Sequence, residues 1–561
     1  MTKKLLTVLF AAMILCGVFA IGASAAPVDI TADFVDPNFR AAIYAEIGKA
    51  SPAPIYDTDA AGIVSLGVSS KNIKSLAGLE HLTELSGFKC DDNQLTSLPA
   101  LPPSLAALDC SGNQLTSLPA LPSRLEWLDC HNNQLSSLPA LPASLTRLFC
   151  YENKLTSLPA LPPFLEYLWC RDNQLTALPV LTSVIHLTCG KNNLTELPAL
   201  PADLEYLACN DNKLTALPAL PSSLAGLDCD GNQLTALPAL PASMWQVLCA
   251  GNQLTSLPPV LPSGLKTFSC GRNNLTALPA VLPSSLESLW CYDNQFTSLP
   301  ALPSGLRSLA CGNNKLTALP ALPSSLEHLD CDDNQLTSLP ALPAPMWQLL
   351  CSNNKLTALP ALPSNLERID CDNNQLTSLP ALPSLLETLE CHHNQLTSLP
   401  ALPASLKTLG CASNQLSSLP ALPSSLLSLS CEDNKLTSLP APLPAKLETL
   451  VCEHNQLTAL PALPSSLTRL WCYNNQLTTI DVTGLSLDWL WCFHNDMPNK
   501  SAVIGFTGTW DDGRFRFDPQ NGTAPTEPDP TDPDPEPSFW AKLWNFILKW
   551  FLFGWIWMNK G

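Results

Sequence analysis

A single unit, L-x-x-L-x-C-x-x-N-x-L-T-x-L-P-A-L-P-x-x, recurs every 19 to 21 residues from about residue 85 to Asn495, and no other feature constrains the chain as strongly. One cysteine marks each copy, from Cys90, Cys110 and Cys130 to Cys452, Cys472 and Cys492; of 22 cysteines only Cys16 falls outside, which makes 21 copies. A unit this short cannot bury an apolar face alone, so a fixed period of this length calls for a solenoid of stacked coils. The 561 residues then count repeats rather than domains.

Within the unit, two-residue alternation turns the Leu and Cys of L-x-C inward and their neighbours outward, so that triplet reads as a short strand. Stacking the coils joins the strands into one long parallel sheet. The asparagine three places after each cysteine is expected to turn its amide onto the backbone where the chain leaves the strand. Most of the 54 prolines fall in L-P-A-L-P, where fixed φ and a missing donor favour extended or polyproline-like backbone on the outer side of the coil.

The stretch L-x-x-L-x-C-x-x-N-x-L resembles the leucine-rich-repeat signature, with Cys where that family usually has a third Leu. Its L-P-A-L-P tail resembles the short, about 20-residue bacterial Leu-Pro-rich subclass of secreted effectors. The fold class expected is therefore mostly β: a leucine-rich-repeat solenoid with a long parallel concave sheet, an extended or polyproline-like convex side, a small helical N-cap and a β-hairpin C-cap.

Composition shifts divide the rest. Residues 1–26 read as a secretory signal, with Lys3 and Lys4 before an apolar run and Ala23-Ser24-Ala25 as a small-residue cleavage site. Residues 27–78 read as an N-terminal cap and degenerate first repeat, similar to the caps of internalin-like secreted repeat proteins. Its helix is signalled by Asp36 as N-cap, Pro37 at the first position, Phe39, Ile43 and Ile47 on one face, and Gly48 past the end. The repeats occupy 79–495. Alternating runs around Asp512-Gly513 make 496–522 a C-terminal cap hairpin. Residues 523–538 are an acidic Pro-rich linker. Residues 539–561 hold Trp540, Trp544, Trp550, Trp555 and Trp557 among Phe, Leu and Ile, a membrane-associating segment that either spans the bilayer or lies in its interface.

The net charge of -19 leaves no basic stripe for phosphates, which excludes nucleic acid as a partner. Cysteines at this density in an exported chain would ordinarily mean disulfides. Here each occupies an inward strand position, where free Cys packs as a small hydrophobe, and strands about 4.8 Å apart exceed the usual Cβ spacing of a disulfide. A mostly reduced, buried ladder is expected.

The outer turn barely changes between copies, while the positions around each cysteine vary, which marks the sheet face as the binding surface. The early coils bring Trp127, Arg147, Phe149, Tyr151, Tyr167, Trp169, Arg171 and Tyr206, with His131 and His186, into an aromatic and basic patch. Tyr, Trp and Arg are the types enriched at binding hot spots. A second patch comprises Arg469, Trp471, Tyr473, Trp489 and Trp491, with burial under the C-terminal cap as the competing reading. Between them the face turns acidic, with His328, Asp330, Asp332, Asp333, Asp370, Asp372, Glu390, His392 and His393; Asp370, Asp372, Glu390 and His392 could converge on a divalent cation, but the set reads instead as a solvated acidic face, and no metal and no cofactor is expected. No glycine-rich phosphate loop, nucleophile elbow or paired metal-ligand motif is present, so the chain does not read as an enzyme.

The function expected is that of a secreted or cell-surface binding protein, adhesin-like or glycan-recognising, with a protein or carbohydrate ligand on the concave face and the membrane as a second partner. A structural envelope or spacer protein, and an effector-like regulator of host signalling, are the alternatives.

Overall fold

The computed structural model describes residues 26–510 and 513–521. The signal, linker and membrane-segment readings lie outside the described residues. No helix among those described is long and apolar enough to cross a membrane.

Each repeat contributes one three-residue strand, and 23 strands make one sheet in which every strand pairs in parallel with the next coil. The strand is x-L-x rather than L-x-C, as in Ala107–Asp109, with cysteine the first residue beyond it. The alternation still places both inward: Leu108 and Cys110 are fully buried. Cys110 N–H donates to Asp129 O of the next coil at 2.8 Å, carrying the ladder one residue past the strand. Leu105, Leu115 and Leu118 add to this coil's core contribution, with Leu121 packed against them. Stacking repeats it coil after coil, so the hydrophobic core is one continuous column. The L-P-A-L-P segments on the other side carry no helix or strand.

The asparagine ladder is the polar counterpart of that column. Asn113 Nδ2 donates to the carbonyls of Cys110 (3.2 Å), Ser111 (3.0 Å) and, one coil back, Cys90 (3.0 Å), while its Oδ1 accepts from Leu95 N–H at 3.0 Å. The pattern recurs through Asn495. One buried amide thus pairs backbone groups that neither strand nor turn would satisfy.

The residue before each ladder asparagine has a left-handed backbone, with φ near +50° to +60°, for example Asp92, Gly112, Asn132 and Glu152. Asn, Asp and Gly dominate there because they tolerate this region best. That ladder was not anticipated; its signal was the polar and glycine bias at the second place after each cysteine.

The 21 described cysteines are free and buried. Burial pushes the Cys291 thiol up to about 12. Several thiols donate to a carbonyl of the next coil, as Cys249 does to Ser269 at 3.1 Å.

At the N-terminal end helix α1 (Pro37–Glu46) forms where expected. Asp36 Oδ1 accepts from Asn38 and Phe39 N–H, and Oδ2 from Lys74 N–H at 2.8 Å, so one carboxylate both caps the helix and ties it to the first coil. The helix buries Phe39 and Ile43, together with Phe34, over the open end of the core.

Among the described residues the two strands of the expected hairpin do not pair with each other. Val503–Ile504 pairs in parallel with Ile480–Asp481, and Phe515–Arg516 in parallel with Leu490–Trp491. The reason is the exposed parallel edge of the last full coil, which offers unpaired backbone groups that a self-contained hairpin would leave unsatisfied. Phe515 and Phe517 continue the core. Gln520 substitutes for the missing next asparagine: its Nε2 donates to Cys492 O at 3.1 Å and its Oε1 accepts from Asn495 N–H at 3.1 Å.

Candidate functional site

Every odd position of a strand faces away from the core, so residues 20 apart in sequence become neighbours across the sheet. In the early coils Trp127, Arg147, Tyr167, His186 and Tyr206 occupy one register row. Phe149 and Trp169 are opposite each other in a second row. His131, Tyr151 and Arg171 form a third, one residue past each cysteine.

These rows are stacked ladders. His131 lies on Tyr151 at 4.3 Å and 11°, and the Arg171 guanidinium lies over the same ring at 4.5 Å. Arg147 sits over Tyr167 at 5.4 Å, which stacks on His186 at 5.1 Å and 6°, followed by Tyr206 at 6.2 Å. Phe149 bridges Trp127 (6.3 Å, edge-on) and Trp169 (4.4 Å). The structure therefore brings all eight predicted residues of the first patch into contact or close register. Trp169 is the most open aromatic, 38 % exposed, and the others are half-buried.

Charge in this patch is held locally. Arg171 pairs with Glu152 at 3.0 Å and with Asp172, whereas Arg147 has no ion pair among the described residues. Burial pushes the Tyr151 and Tyr206 hydroxyls up to about 12, with Asp129 and Asp228 adding to it, so both remain donors. Burial also draws His131 downward, but the Asp129 carboxylate at 2.6 Å outweighs it and holds the ring above its usual value. His186, with a weaker carboxylate influence from Glu205, lies below.

The second patch is likewise assembled. Trp471 stacks on Trp491 at 5.4 Å, Tyr473 on Phe493 at 4.4 Å, and Trp489 meets Trp491 edge-on at 6.3 Å, with Arg469 exposed at the rim. The terminal strand covers part of it: Trp491 Nε1 donates to Gly513 O at 3.2 Å and Arg516 lies over the Trp491 ring at 5.3 Å. Tyr473 is buried. This patch is thus partly an end-of-sheet contact.

The acidic band is only partly solvated: Asp333 is exposed and Asp330, Glu390 and His392 are half-buried, but the rest is covered. Asp332, Asp370 and Asp372 are at most 9 % exposed, because side chains on consecutive coils cover one another. Asp332 Oδ1 accepts Ser352 N–H, and Asp372 Oδ1 accepts His392 N–H, each at 2.6 Å. A carboxylate thereby pairs the next coil's free amide. Burial, reinforced by Glu390, raises Asp370 to about 6. His392 is pulled down by burial, but Asp372 and the hydrogen-bonded Glu390 push it up to about 10. The described residues contain no group of three or more His, Cys, Asp or Glu suited to a metal ion.

Among solved structures, the chain is similar to YopM from Yersinia enterocolitica WA-314, at 38 % identity over 76 % of this chain and 90 % of that one, with a TM-score of 0.64. It is also similar to a leucine-rich effector protein from Yersinia pestis, at 34 % identity over 62 % and 88 %, with a TM-score of 0.43. The TDR receptor shares the fold at 20 % identity over 77 % and 92 %, with a TM-score of 0.53. No protein-family model and no curated protein matches the sequence.

Proposed function

The chain belongs to the leucine-rich-repeat family, and from that premise we propose that it is a binding protein that holds a polypeptide partner on its sheet face, centred on the early aromatic patch. The observation that carries this is the stacking of His131–Tyr151–Arg171 and Arg147–Tyr167–His186–Tyr206. Ring faces taken up by neighbouring rings are withdrawn from a sugar, which would need them to stack on. What points outward is a rigid set of ring edges, hydroxyls and N–H groups, suited to the carbonyls and side chains of a polypeptide. Preorganisation by the ladder lowers the ordering cost of association. The chain acts in this reading by binding and not by catalysis. Export and display at a cell surface complete the proposal, supported by the leader-like and Trp-rich terminal sequences.

The test is a screen of the full chain against peptide, surface-protein and glycan arrays, with a Tyr167→Ala/Trp169→Ala variant in parallel. A polypeptide hit weakened about 30-fold or more in the variant, the loss of one hot spot of about 2 kcal/mol, is the expected result. Glycan hits alone, or hits indifferent to the variant, would refute it.

A further inference from the structure

Two successive coils are longer by one residue than most of the others. Cys249 to Cys270 and Cys270 to Cys291 each span 21 residues, and the extra residue falls in the outer turn, giving L-P-P-V-L-P and L-P-A-V-L-P. It bulges away from the core: Val260 and Val281 are 78 % and 80 % exposed, the most open large apolar side chains among the described residues. The leucines that follow, Leu261 and Leu282, are buried, whereas their counterparts Leu220 and Leu240 are half-buried. A lone surface valine needs no explanation. These two, however, occupy the same place in adjacent coils and lie within an uncharged strip. Over eleven successive coils, from Leu214–Leu224 to Leu416–Leu426, the outer segment contains no Asp, Glu, Lys or Arg. Across that same span every carboxyl group, from Asp228 to Glu390, lies on a strand or within three residues of one.

We propose that this strip is a self-association surface, on which a second copy of the chain packs back to back and antiparallel, with a two-fold axis between the coils of Val260 and Val281. An axis there sets Val260 against Val281 of the second copy and the reverse, so each bulged valine meets another apolar side chain. The charge distribution selects this occupant. The net charge of -19 is held off the strip, so two copies meet here without bringing carboxylates together, whereas a sheet-to-sheet approach sets the acidic bands against each other. On the same axis the coil carrying Glu196 and Asp203 faces the uncharged Leu336–Met346, and no like charges are opposed. A coil adds about 4.8 Å along the stack and its L-P-A-L-P about 15 Å across it, so eight coils on each copy supply about 600 Å² apiece, the low end of what specific association needs. The contact leaves the aromatic rows of the sheet face open to a polypeptide partner.

The experiment is sedimentation of the full chain at about 20 µM, where a dimer is expected. Val260→Lys/Val281→Lys sets four lysines into the contact of such a dimer and is expected to weaken it at least about 30-fold, leaving monomer at that concentration. Ala100→Lys/Ala462→Lys adds the same charge to exposed outer-turn positions at the two ends of the repeat, and should change the dimer constant less than about twofold. Orientation is read by oxidative crosslinking, to which the buried native thiols are closed. Chains with Val260→Cys mixed with chains with Val281→Cys should crosslink faster than either variant alone, because position 260 faces position 281 across the axis. A monomeric parent, a dimer indifferent to Val260→Lys/Val281→Lys, equal weakening by both lysine pairs, or no faster crosslinking in the mixture would each overturn the proposal. A monomer whose binding to phosphatidylcholine vesicles falls in Val260→Lys/Val281→Lys would also overturn it, assigning the strip to a lipid surface instead.

Discussion

Replacing Asp370 by Asn should stabilise the middle coils at neutral pH and do little in acid. The carboxyl is 4 % exposed, and burial together with Glu390 raises it from 3.8 to about 6. Because the folded value lies above the free one, the group costs the fold nothing below pH 3.8 and destabilises it progressively as pH rises through about 6. The gap of about two units corresponds to about 3 kcal/mol at pH 7.5, or roughly a hundredfold in an opening equilibrium; by pH 4 only a few-fold remains. Asn keeps the acceptor for Asp372 N–H, so the comparison isolates the charge. The assay is hydrogen exchange read by mass spectrometry on peptides spanning 366–376, variant against parent at each pH. This local readout suits a long repeat array, whose unfolding is not a single two-state step. Equal protection of the two chains at pH 7.5, or a difference of the same size at pH 4, would refute the argument.

Other coils give further tests. Asn354→Ala removes donors to the Cys331 (3.0 Å), Cys351 and Ser352 carbonyls and the acceptor for Leu336 N–H, and should cost about 3 kcal/mol, seen as faster exchange in that coil and its neighbours alone. Lys191→Gly relieves a left-handed non-glycine residue at φ 51° and should raise the thermal midpoint slightly, by the equivalent of about 0.5 kcal/mol; a fall would show that the backbone there is unstrained. The buried thiols should be inert to Ellman's reagent at pH 8 in the native chain and titrate fully once denatured, since burial holds them protonated.

Much of the architecture was legible because one period dictates it: Leu108, Cys110 and Asn113 each have a single role that repeats. The C-terminal cap was misread because alternation around Gly513 specifies strands but not their partners, and the open edge at Leu490–Trp491 recruits them in parallel. The acidic band was misread for a related reason. Asp332 and Ser352, or Asp370 and Glu390, are 20 residues apart yet adjacent across the sheet, so their mutual burial has no trace in any local window. The left-handed ladder was obscured by Glu152, Lys191 and Arg272, which occupy it without the residue types that advertise it. The aromatic rows were readable as residue types, whereas the stacking that turns their edges outward depends on register.

The most direct test of the sheet-face proposal is hydrogen exchange of the full chain with and without a polypeptide selected from the arrays. The account predicts added protection confined to the coils containing residues 127–131, 147–151, 167–171 and 186–206. Protection on the L-P-A-L-P side alone, or none at a saturating concentration of that polypeptide, would contradict it.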